Sequence, residues 1–514
     1  LPYFWAIDND KDLTINNRLF ASEHPLFLGE YRQAFENSKL VFDFVDGSSG
    51  NENLSDVNNK AFEQIRLDPR VLINVESRSL KTSFFDYEYD NPFGFAPMGM
   101  CNLTWPKADN MLAKEAISNN VPLCLSMAAS TSIERAYELS NGLAWFQLYI
   151  GQDENFVMDL VDRAYSCGYK TLILTVDVPI LLKRARDDRN GFDVPFKMSF
   201  KNFIDFATHP NWSLKTLYNG APTNMNYTTS KFGKKFVRGE SRGKVNWETL
   251  EKLRNKWKGN LIIKGIMNPE DAVKIKNYGA DAVYISNHGG RQLDSAPAAI
   301  SVLPKIRKAV GNDYPLILDS GIRSGRDILK SLALGANFVM IGRPLMYAIG
   351  ADGSEGLKKI LHISSDEVYG EKITGTCYEN QLVNPTNPYS ASKAAAEVLI
   401  NSYKYTYKKE IIIVRANNIY GIRQYPEKLI STSIVNLIKN KPIPIHGNGR
   451  NIRFYLSAVD FANALIFLVK KKEKGIYNIG SNFFEKNINI ARHICKIFKK
   501  NPKKFIKFTD DRLY

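Results

Sequence analysis

Eight short runs of apolar and β-branched residues alternate with helical patterns between about residues 90 and 345, and no other feature constrains the fold as strongly. An apolar run followed by a helical pattern is typical of a buried parallel strand, and eight such units in series predict a closed (β/α)8 barrel, the TIM-barrel architecture. Reactive residues in such barrels come from the carboxyl ends of the strands, where each run here ends in a polar or glycine-bearing cluster. The runs are residues 92–97, 122–126, 143–149, 171–177, 261–264, 282–286, 315–319 and 338–342.

The pattern changes character after about residue 358. Residues 361–370 are typical of a strand that enters a loop, and residues 411–415 are typical of a buried strand. The length of 514 residues also favours more than one domain. We therefore predict a barrel domain of residues 1–358, with an insertion at about 191–245, followed by a second α/β domain of residues 359–514.

Composition excludes several classes of protein. The content of 44% apolar and 24% charged residues is typical of a soluble globular chain, and no apolar run approaches the roughly 18 residues of a membrane span. The first ten residues lack the basic start and apolar stretch of a signal peptide. The five cysteines show neither a CxxC pair nor metal-ligand spacing, which predicts reduced thiols, no metal and a cytoplasmic location. The net charge of +16 comes from lysines without interleaved aromatic residues, so no nucleic-acid partner is expected.

The densest cluster of reactive side chains is the segment SNHGGRQLD, residues 286–294, at the end of the sixth run. A lone histidine is more often structural, but His288 lies at the catalytic end of a predicted barrel strand with Arg291 three residues later. Such a pair can take a proton from a substrate and bind a carboxylate. An oxidation at such a site would also need an electron acceptor, which no side chain supplies and a cofactor would have to provide.

This segment and two others resemble the FMN-dependent 2-hydroxyacid dehydrogenase family. The other segments are LILTVDVP (172–179) with DDRNGF (187–192), and LDSGIRSGRDILKSLALGANFVMIGRP (318–344). The resemblance covers about residues 40–357. It implies oxidation of an (S)-2-hydroxyacid, lactate- or mandelate-like, to the 2-oxoacid, with FMN as the hydride acceptor.

The resemblance also implies a role for each of six catalytic candidates. His288 would be the base, Asp177 would stabilise its protonated form, and Tyr149 would hydrogen-bond the substrate. Arg184 and Arg291 would hold the carboxylate, a bidentate task that suits guanidinium. Lys264 would lie near flavin N1.

The remaining expected FMN-binding residues lie near the strand ends. The phosphate is expected in the loops after the seventh and eighth strands, because this is the usual phosphate site of such barrels and glycine lets backbone N–H groups approach. The FMN candidates are Ala96, Pro97, Met98, Gly99, Ser126, Gln147, Thr175, Ser286 and Asp319, with Gly321, Arg323, Gly342 and Arg343 at the phosphate.

One position departs from the family pattern. In residues 41–44 (VFDF) the family commonly has a tyrosine last, whose hydroxyl touches the substrate, and here Phe44 has none. A missing hydroxyl costs roughly 0.5–1.5 kcal/mol when water replaces it. Substrate identity therefore stays open, while the base, the cations and the flavin remain expected.

The insertion at 191–245 is rich in phenylalanine, tryptophan and lysine. It is consistent either with an interfacial membrane segment or with a lid whose aromatic residues pack inward. APMGMCNLTWPKADN (96–110) and HPNWSLKTLYNGAPTN (209–224) are most similar to the mandelate and respiratory lactate dehydrogenase branch, which uses this stretch to reach the membrane. The branch implies a homo-oligomer, peripheral on the inner face of the cytoplasmic membrane, with quinone or dyes as electron acceptor.

The second domain resembles the C-terminal part of a dTDP-glucose 4,6-dehydratase, an extended short-chain dehydrogenase/reductase. The similar segments are HISSDEVYG (362–370), YSASK (389–393), RANNIYGIRQYPEKLI (415–430) and IPIHGNGRNIR (443–453). The resemblance implies that Tyr389 is a base whose pKa Lys393 lowers. It makes Asp366 and Glu367, beside Ser365, the acid and base of water elimination. The candidates for the sugar-nucleotide site are Asn417, Glu427, Lys428, Leu429 and Arg453.

The nucleotide-binding start of that fold is not found before residue 361, where the barrel pattern stands instead. NAD needs a strand, a glycine-rich turn and a helix N-terminus for its pyrophosphate. Residues 350–356 spell GxxGxxG but lack a βαβ context, so we interpret them as coincidence. We therefore expect a partial Rossmann-like domain with an incomplete NAD site and no activity. Two alternatives stay open, a sugar-nucleotide enzyme or binding module that carries the barrel as a passenger, and a non-functional chimera.

Overall fold

The computed structural model describes residues 38–67, 79–180, 182, 184–192, 199–233, 241–358, 360–370, 376–407, 411–421, 424, 428–471 and 474–510. These residues fall into two compact units, one that ends at Leu357 and one that begins at Lys358.

The first unit is built on a closed barrel of eight parallel strands. The strands are hydrogen-bonded in chain order and the last pairs with the first, with Val339 opposite Phe93. Each strand overlaps one of the apolar runs, so the predicted (β/α)8 fold is confirmed. The strands of this unit are the hairpin β1 (Thr82–Phe84) and β2 (Tyr87–Tyr89), then the barrel strands β3 (Phe93–Met98), β4 (Leu123–Ser126), β5 (Ala144–Leu148), β6 (Thr171–Thr175), β7 (Asn260–Ile266), β8 (Ala282–Ile285), β9 (Leu316–Leu318) and β10 (Phe338–Ile341).

The hairpin closes the amino end of the barrel with aromatic side chains. The ring of Phe84 lies 5.8 Å from that of Trp145 and 5.1 Å from that of Phe338, between centroids. Tyr89 packs on Phe338 at 5.5 Å, and its hydroxyl accepts a hydrogen bond from the Trp145 indole at 3.3 Å. Apolar side chains therefore fill this end, and a site can form only at the opposite end, where the strands have their carboxyl ends.

Helices surround the barrel and bury a large apolar core against it. Side-chain caps at Ser132, Asp153, Asn246 and Ser324 accept the orphan N–H groups at four helix starts. The helices are α1 (Lys39–Asp46), α2 (Asn53–Gln64), α3 (Ala108–Ser118), α4 (Ile133–Leu139), α5 (Glu154–Cys167), α6 (Ala185–Asn190), α7 (Phe200–Ala207), α8 (Pro210–Asn219), α9 (Met225–Thr228), α10 (Trp247–Lys256), α11 (Pro269–Asn277), α12 (Ala299–Val310), α13 (Gly325–Ala333) and α14 (Arg343–Lys358), with 3₁₀ turns at Cys101–Leu103 and His288–Gly290.

A buried charge cluster ties α1 to α6. The guanidinium of Arg186 forms ion pairs with Asp46 and Glu52 and lies 3.5 Å from a carboxylate oxygen of Asp43. Tyr347 donates a hydrogen bond to Asp46 at 2.6 Å. Burial opposes ionisation of Asp46, but Arg186 and Tyr347 outweigh it, so the pKa of Asp46 is lowered. The cluster thus holds three carboxylates around one cation beside the barrel's carboxyl end.

The second unit is an α/β domain whose main sheet is parallel, in the order β11–β12–β16. Among the described residues of this unit, no strand precedes β11 in the chain. Phe461 and Leu465 of a following helix pack in the core on this sheet. The elements are β11 (Ile360–Ser365), a 3₁₀ turn (Asp366–Tyr369), α15 (Pro388–Tyr407), β12 (Ile411–Ala416), β13 (Asn418–Tyr420), α16 (Leu429–Ile438), β14 (Ile443–His446), β15 (Ile452–Ser457), α17 (Ala458–Lys470), β16 (Gly475–Ile479), β17 (Phe484–Lys486), α18 (Asn487–Ile497), α19 (Pro502–Phe505) and β18 (Ile506–Thr509).

Candidate active site

A cavity of about 240 Å³ opens at the carboxyl ends of the barrel strands. Most of the residues that the sequence analysis singled out in the barrel line it. They are Ala96, Pro97, Met98, Gly99, Ser126, Tyr149, Arg184, Lys264, His288, Arg291, Asp319, Gly321, Arg323, Gly342 and Arg343. The barrel therefore brings together residues that lie up to about 250 positions apart in the chain.

The other predicted barrel residues lie directly behind this lining. Gln147 accepts a hydrogen bond from the Ser126 hydroxyl and donates one to the Thr175 hydroxyl, both at 3.0 Å. Ser286 accepts a hydrogen bond from the Lys264 ammonium at 2.7 Å. These buried polar side chains therefore orient the groups that face the cavity.

His288 lies between a carboxylate and a phenol. Its Nδ1 is 3.0 Å from Oδ1 of Asp177, and its Nε2 is 3.5 Å from the hydroxyl of Tyr149. Burial opposes ionisation of Asp177, but the adjacent His288 imidazole outweighs it, so the pKa of Asp177 is lowered. An ionised Asp177 favours a proton on Nδ1, which leaves Nε2 with a lone pair that can take a proton from a substrate.

The backbone at the histidine is held in an uncommon conformation. His288 has φ +57° and Gly289 has φ +63°, in the 3₁₀ turn after β8. The His288 N–H donates to the Ser286 hydroxyl and the Gly289 N–H to the Ser320 hydroxyl, both at 3.0 Å. Gly265, on the neighbouring strand, leaves room for Asp177, since a Cβ there would lie 2.5 Å from the Asp177 Cβ. The fold therefore fixes the histidine and its carboxylate partner together.

Two guanidinium groups converge around the ring of Phe44. Arg184 lies 4.8 Å and Arg291 5.4 Å from its centroid, and Phe192 stacks on it at 4.4 Å. Arg184 also pairs with Asp187 at 2.7 Å. Burial and the neighbouring Arg184 lower the pKa of Arg291 to about 10, which leaves it cationic at neutral pH. Phe44 therefore lacks the expected hydroxyl but contacts both carboxylate-binding candidates through cation–π interactions.

The part of the cavity beside Arg343 and Arg323 is suited to a phosphate. Arg343 donates to backbone carbonyls at Gly289 (2.8 Å) and Val45 (3.2 Å), and it has no salt bridge among the described residues. Burial, with Arg291 and Arg323 nearby, lowers its pKa to about 10. Closely spaced buried cations of this kind favour an anionic ligand. The donor set thus fits the phosphate of FMN, and Lys264, buried between Ser286 and Asp319, supplies a cation suited to a ring that becomes negative on reduction.

Several lining residues were not predicted from the sequence. Ser320 adjoins Asp319 and Gly321 and could have been found from that neighbourhood. Arg242 comes from the insertion, and its Cζ lies 4.4 Å from the centroid of the Tyr149 ring. Nothing in the local sequence indicates this contact, because it depends on how the insertion folds back on the barrel.

The second unit assembles part of its predicted site. Asn417 donates a hydrogen bond to Asp366 at 2.7 Å, and the Lys393 ammonium lies 5.9 Å from the centroid of the Tyr389 ring. The expectation that Lys393 lowers the pKa of Tyr389 is not met, since partial desolvation of the half-exposed ring and the nearby Glu367 raise it. Burial also lowers the pKa of Lys393.

The remaining candidates of the second unit are placed differently. Ser365 accepts a hydrogen bond from the Glu367 N–H at 3.2 Å. Lys428 and Arg453 are exposed, at the start of α16 and in β15. Leu429 opens α16 and packs at the edge of a small apolar core. Glu427 lies outside the described residues.

The glycine motif at 350–356 has a structural explanation inside the barrel unit. It lies within α14, after the last barrel strand, at a kink where Gly353 has φ +54°. A Cβ at Gly353 would lie 2.9 Å from the indole of Trp105. This glycine therefore permits close packing on a tryptophan, as expected if the motif is coincidental.

Helices α7 and α8 carry an exposed apolar surface, which we name the 200–218 surface. Six of its side chains are 48–91% exposed: Phe200, Phe203, Ile204, Leu214, Leu217 and Tyr218. Trp212 instead points inward and donates to the Leu103 carbonyl at 3.1 Å. In the part of the chain that the structure describes, no helix combines the length and apolar character needed to cross a bilayer.

Comparisons with known proteins identify two families in this chain. The model of the FMN-dependent dehydrogenase family matches residues 35–375, and that of the NAD dependent epimerase/dehydratase family matches residues 324–480. An L-lactate dehydrogenase of Pseudomonas syringae pv. syringae (strain B728a) is 35% identical over 364 residues, which are 69% of this chain and 96% of that protein. An (S)-mandelate dehydrogenase of Pseudomonas putida is 36% identical over 335 residues, 64% of this chain and 84% of that protein.

Solved structures give the same result for the barrel. A crystal structure of the monotopic membrane protein (S)-mandelate dehydrogenase matches with TM-score 0.60 and 36% identity, covering 64% of this chain and 89% of that one. A mandelate oxidase matches with TM-score 0.54 and 32% identity, covering 64% of this chain and 86% of that one. The resemblance of the barrel to FMN-dependent dehydrogenases is confirmed, and that of the second unit is confirmed at the level of the NAD dependent epimerase/dehydratase family.

Proposed function

The chain belongs to the FMN-dependent dehydrogenase family, and we propose from this premise that its barrel oxidises an (S)-2-hydroxyacid to the 2-oxoacid. The observation that carries the proposal is the position of His288, with Asp177 on one ring nitrogen and the cavity at the other. The similar L-lactate and (S)-mandelate dehydrogenases support a lactate- or mandelate-like substrate.

In the proposed mechanism, the chain's own residues bind the substrate and move its proton. Arg184 and Arg291 hold the substrate carboxylate, which directs the hydroxyl toward Nε2 of His288. That nitrogen takes the hydroxyl proton, and Asp177 stabilises the imidazolium that results. Burial raises the pKa of Tyr149, so its hydroxyl stays protonated and donates a hydrogen bond to the substrate.

The same cavity would hold FMN in this proposal. Arg323 and Arg343 would bind the phosphate, and Lys264 and the segment from Ala96 to Gly99 would contact the flavin ring. Bound FMN supplies the acceptor for the two electrons that leave the substrate. The residues behind the lining, Gln147 among them, keep the polar edge of the site oriented.

Anaerobic reduction of the flavin tests this function. The purified protein should be yellow, and (S)-lactate, (S)-mandelate or a longer analogue should bleach it in the absence of oxygen, because substrate electrons then remain on the flavin. We expect fast re-oxidation by a quinone analogue or dye and slow re-oxidation by oxygen. A flavin that no 2-hydroxyacid bleaches would overturn the proposal, and rapid peroxide formation in air would point to an oxidase.

We further propose that the 200–218 surface docks on the inner face of the cytoplasmic membrane. A lid would turn these aromatic side chains inward, whereas six large apolar side chains are exposed and Trp212 anchors the helices to the barrel. An exposed apolar face beside lysines is typical of interfacial membrane binding. The similar (S)-mandelate dehydrogenase is a monotopic membrane protein, which supports the same interpretation.

Substitution of three surface side chains should release the protein from lipid. The triple variant Phe200→Ser, Leu217→Ser, Tyr218→Ser should lower the fraction that sediments with anionic vesicles by at least about tenfold, since each large apolar side chain contributes roughly 1.5–3 kcal/mol. Leu329→Ser, which removes a half-exposed leucine from α13, is the matched control and should leave sedimentation unchanged. Equal sedimentation of wild type and triple variant would favour the lid.

We propose that the second unit does not dehydrate dTDP-glucose. In the dehydratases that it resembles, the reaction begins with hydride transfer from the sugar to NAD, and NAD needs a strand, a glycine turn and a helix N-terminus. Among the described residues, β11 is the first strand of this unit, and the glycine motif before it belongs to α14 of the barrel.

Incubation with NAD and dTDP-glucose should therefore give no 4-keto product, measured by its absorbance in alkali. The matched variant is Tyr389→Phe, which should give the same background as the wild type. Product that forms with the wild type and disappears with Tyr389→Phe would contradict the proposal.

A further inference from the structure

Arg242 is a buried cation in the active-site cavity that the mechanism above does not use. Only 8% of the residue is exposed, and it lines the cavity with its guanidinium on the ring of Tyr149. Among the described residues, its side chain has no salt bridge and no hydrogen bond. A guanidinium so deeply buried without an anion is costly, which makes its position informative.

The fold places this side chain through its backbone. The Arg242 N–H donates to the carbonyl of Pro179 at 2.8 Å, two residues after Asp177. The preceding carbonyl, of Ser241, accepts a hydrogen bond from the Gln152 amide at 2.8 Å. The loop is thus tethered to the segments that follow β5 and β6, so the guanidinium is presented to the cavity by fixed backbone contacts.

Every other cation of the cavity already has a partner or a proposed task. Lys264 lies 3.4 Å from a carboxylate oxygen of Asp319, which is the one carboxylate among the residues lining the described cavity. Arg184 and Arg291 flank Phe44, and Arg323 and Arg343 are assigned to the phosphate. Arg242 lies on the face of the tyrosine whose hydroxyl approaches His288 and has no assigned partner. The cavity therefore offers one cation more than FMN and a monocarboxylate require.

We propose that the preferred substrate is a 2-hydroxydicarboxylate, whose second carboxylate pairs with Arg242 while the first binds Arg184 and Arg291. This inference rests on the proposed 2-hydroxyacid oxidation and names its substrate class. Guanidinium binds carboxylate through two parallel hydrogen bonds, and a buried pair of this kind is strong.

The test compares mono- and dicarboxylate substrates on the flavin-loaded full chain. Anaerobic flavin reduction is followed at several concentrations of (S)-lactate, (S)-mandelate, (S)-malate and (S)-2-hydroxyglutarate, which gives a Kd for each. At least one dicarboxylate should bind about tenfold or more tightly than the monocarboxylates. Arg242→Met should raise the Kd of that dicarboxylate about 10- to 100-fold, the effect of losing one charge-assisted pair, and raise the Kd of lactate far less.

Arg135→Met is the matched control, because Arg135 is an exposed arginine whose partner is the exposed Glu138. It should leave both Kd values unchanged, and unchanged flavin content would show that Arg242→Met is folded. The proposal would be overturned if Arg242→Met raised the Kd of monocarboxylates and dicarboxylates equally, or changed neither.

A second measurement separates this proposal from the function on which it rests. If no hydroxyacid reduces the flavin, 2-hydroxyacid oxidation fails, yet binding can still be followed by perturbation of flavin absorbance with the oxoacids pyruvate and 2-oxoglutarate. Tighter binding of 2-oxoglutarate that Arg242→Met abolishes would support the dicarboxylate site. Equal binding of the two oxoacids would overturn it.

Discussion

Replacement of His288 by glutamine should slow flavin reduction by the hydroxyacid about 10²- to 10⁴-fold, the usual contribution of a positioned general base. The flavin absorption spectrum should stay the same, because His288 holds the substrate's proton and none of the proposed FMN contacts depends on it. The measurement is anaerobic stopped-flow reduction at saturating substrate, with the flavin content of each preparation determined first.

The unusual backbone at this residue calls for a second substitution. His288 has φ +57°, a conformation that asparagine tolerates better than glutamine. Both His288→Gln and His288→Asn should lose activity to a similar degree, so a difference in backbone strain would not explain the loss. His446→Gln, in an exposed part of the second unit, is the matched control and should reduce at the wild-type rate. Wild-type reduction in either His288 variant would refute the assignment of the base.

Replacement of Arg186 by methionine should destabilise the barrel unit by about 3–5 kcal/mol, the usual effect of removing one partner from a buried ion pair. Methionine keeps much of the side-chain volume but removes the cation that Asp43, Asp46 and Glu52 share. The loss is measured as the difference in unfolding free energy near pH 7, from denaturant titrations of both proteins.

The dependence of this loss on pH follows from the pKa of Asp46. That pKa is lowered in the wild type, so the stability it contributes is fully present above the usual value of 3.8 and is lost as the pH falls through the lowered value. In the variant Asp46 loses the charge of Arg186 and gains a proton more readily. The difference in unfolding free energy between the wild type and the variant should therefore be largest near neutral pH and become smaller below about pH 3.8.

The control for this experiment lies one turn along the same helix. Arg189→Met removes an exposed arginine from α6 and should change the unfolding free energy by no more than about 0.5 kcal/mol. A gap between Arg186→Met and the wild type that stays constant with pH would show that lost packing, and not uncompensated charge, is responsible.

The barrel could be predicted from the sequence because its strands are buried on both faces. Such strands have continuous apolar sequences. The polar side chains of the site therefore lie at or near the strand ends, as with Lys264 in β7 and His288 after β8. The pairing of His288 with Asp177 was inferred from the family resemblance, and in the structure Nδ1 of His288 lies 3.0 Å from Oδ1 of Asp177.

Contacts that depend on tertiary folding could not be predicted in this way. Arg242 lies in an insertion without periodic pattern, and only the folded loop brings it onto Tyr149. From the sequence, Phe44 indicated only that a substrate contact was lost. In the structure its ring contacts the guanidinium groups of Arg184 and Arg291. The raised pKa of Tyr389 was missed for the same reason, since neither the partial desolvation of its half-exposed ring nor the nearby Glu367 is visible in a YxxxK spacing.

The aromatic hairpin at the amino end of the barrel separates the part of the protein that stabilises the fold from the part that binds the substrate. Phe84 and Tyr89, with Trp145 and Phe338, anchor the unit at the end farthest from the cavity. Selection can therefore remodel the loops at the other end without loosening the scaffold that carries them. We therefore expect the substrate preference of such a protein to change faster in evolution than its fold. Gain or loss of an arginine on the insertion loop, such as Arg242, is a substitution that would change that preference.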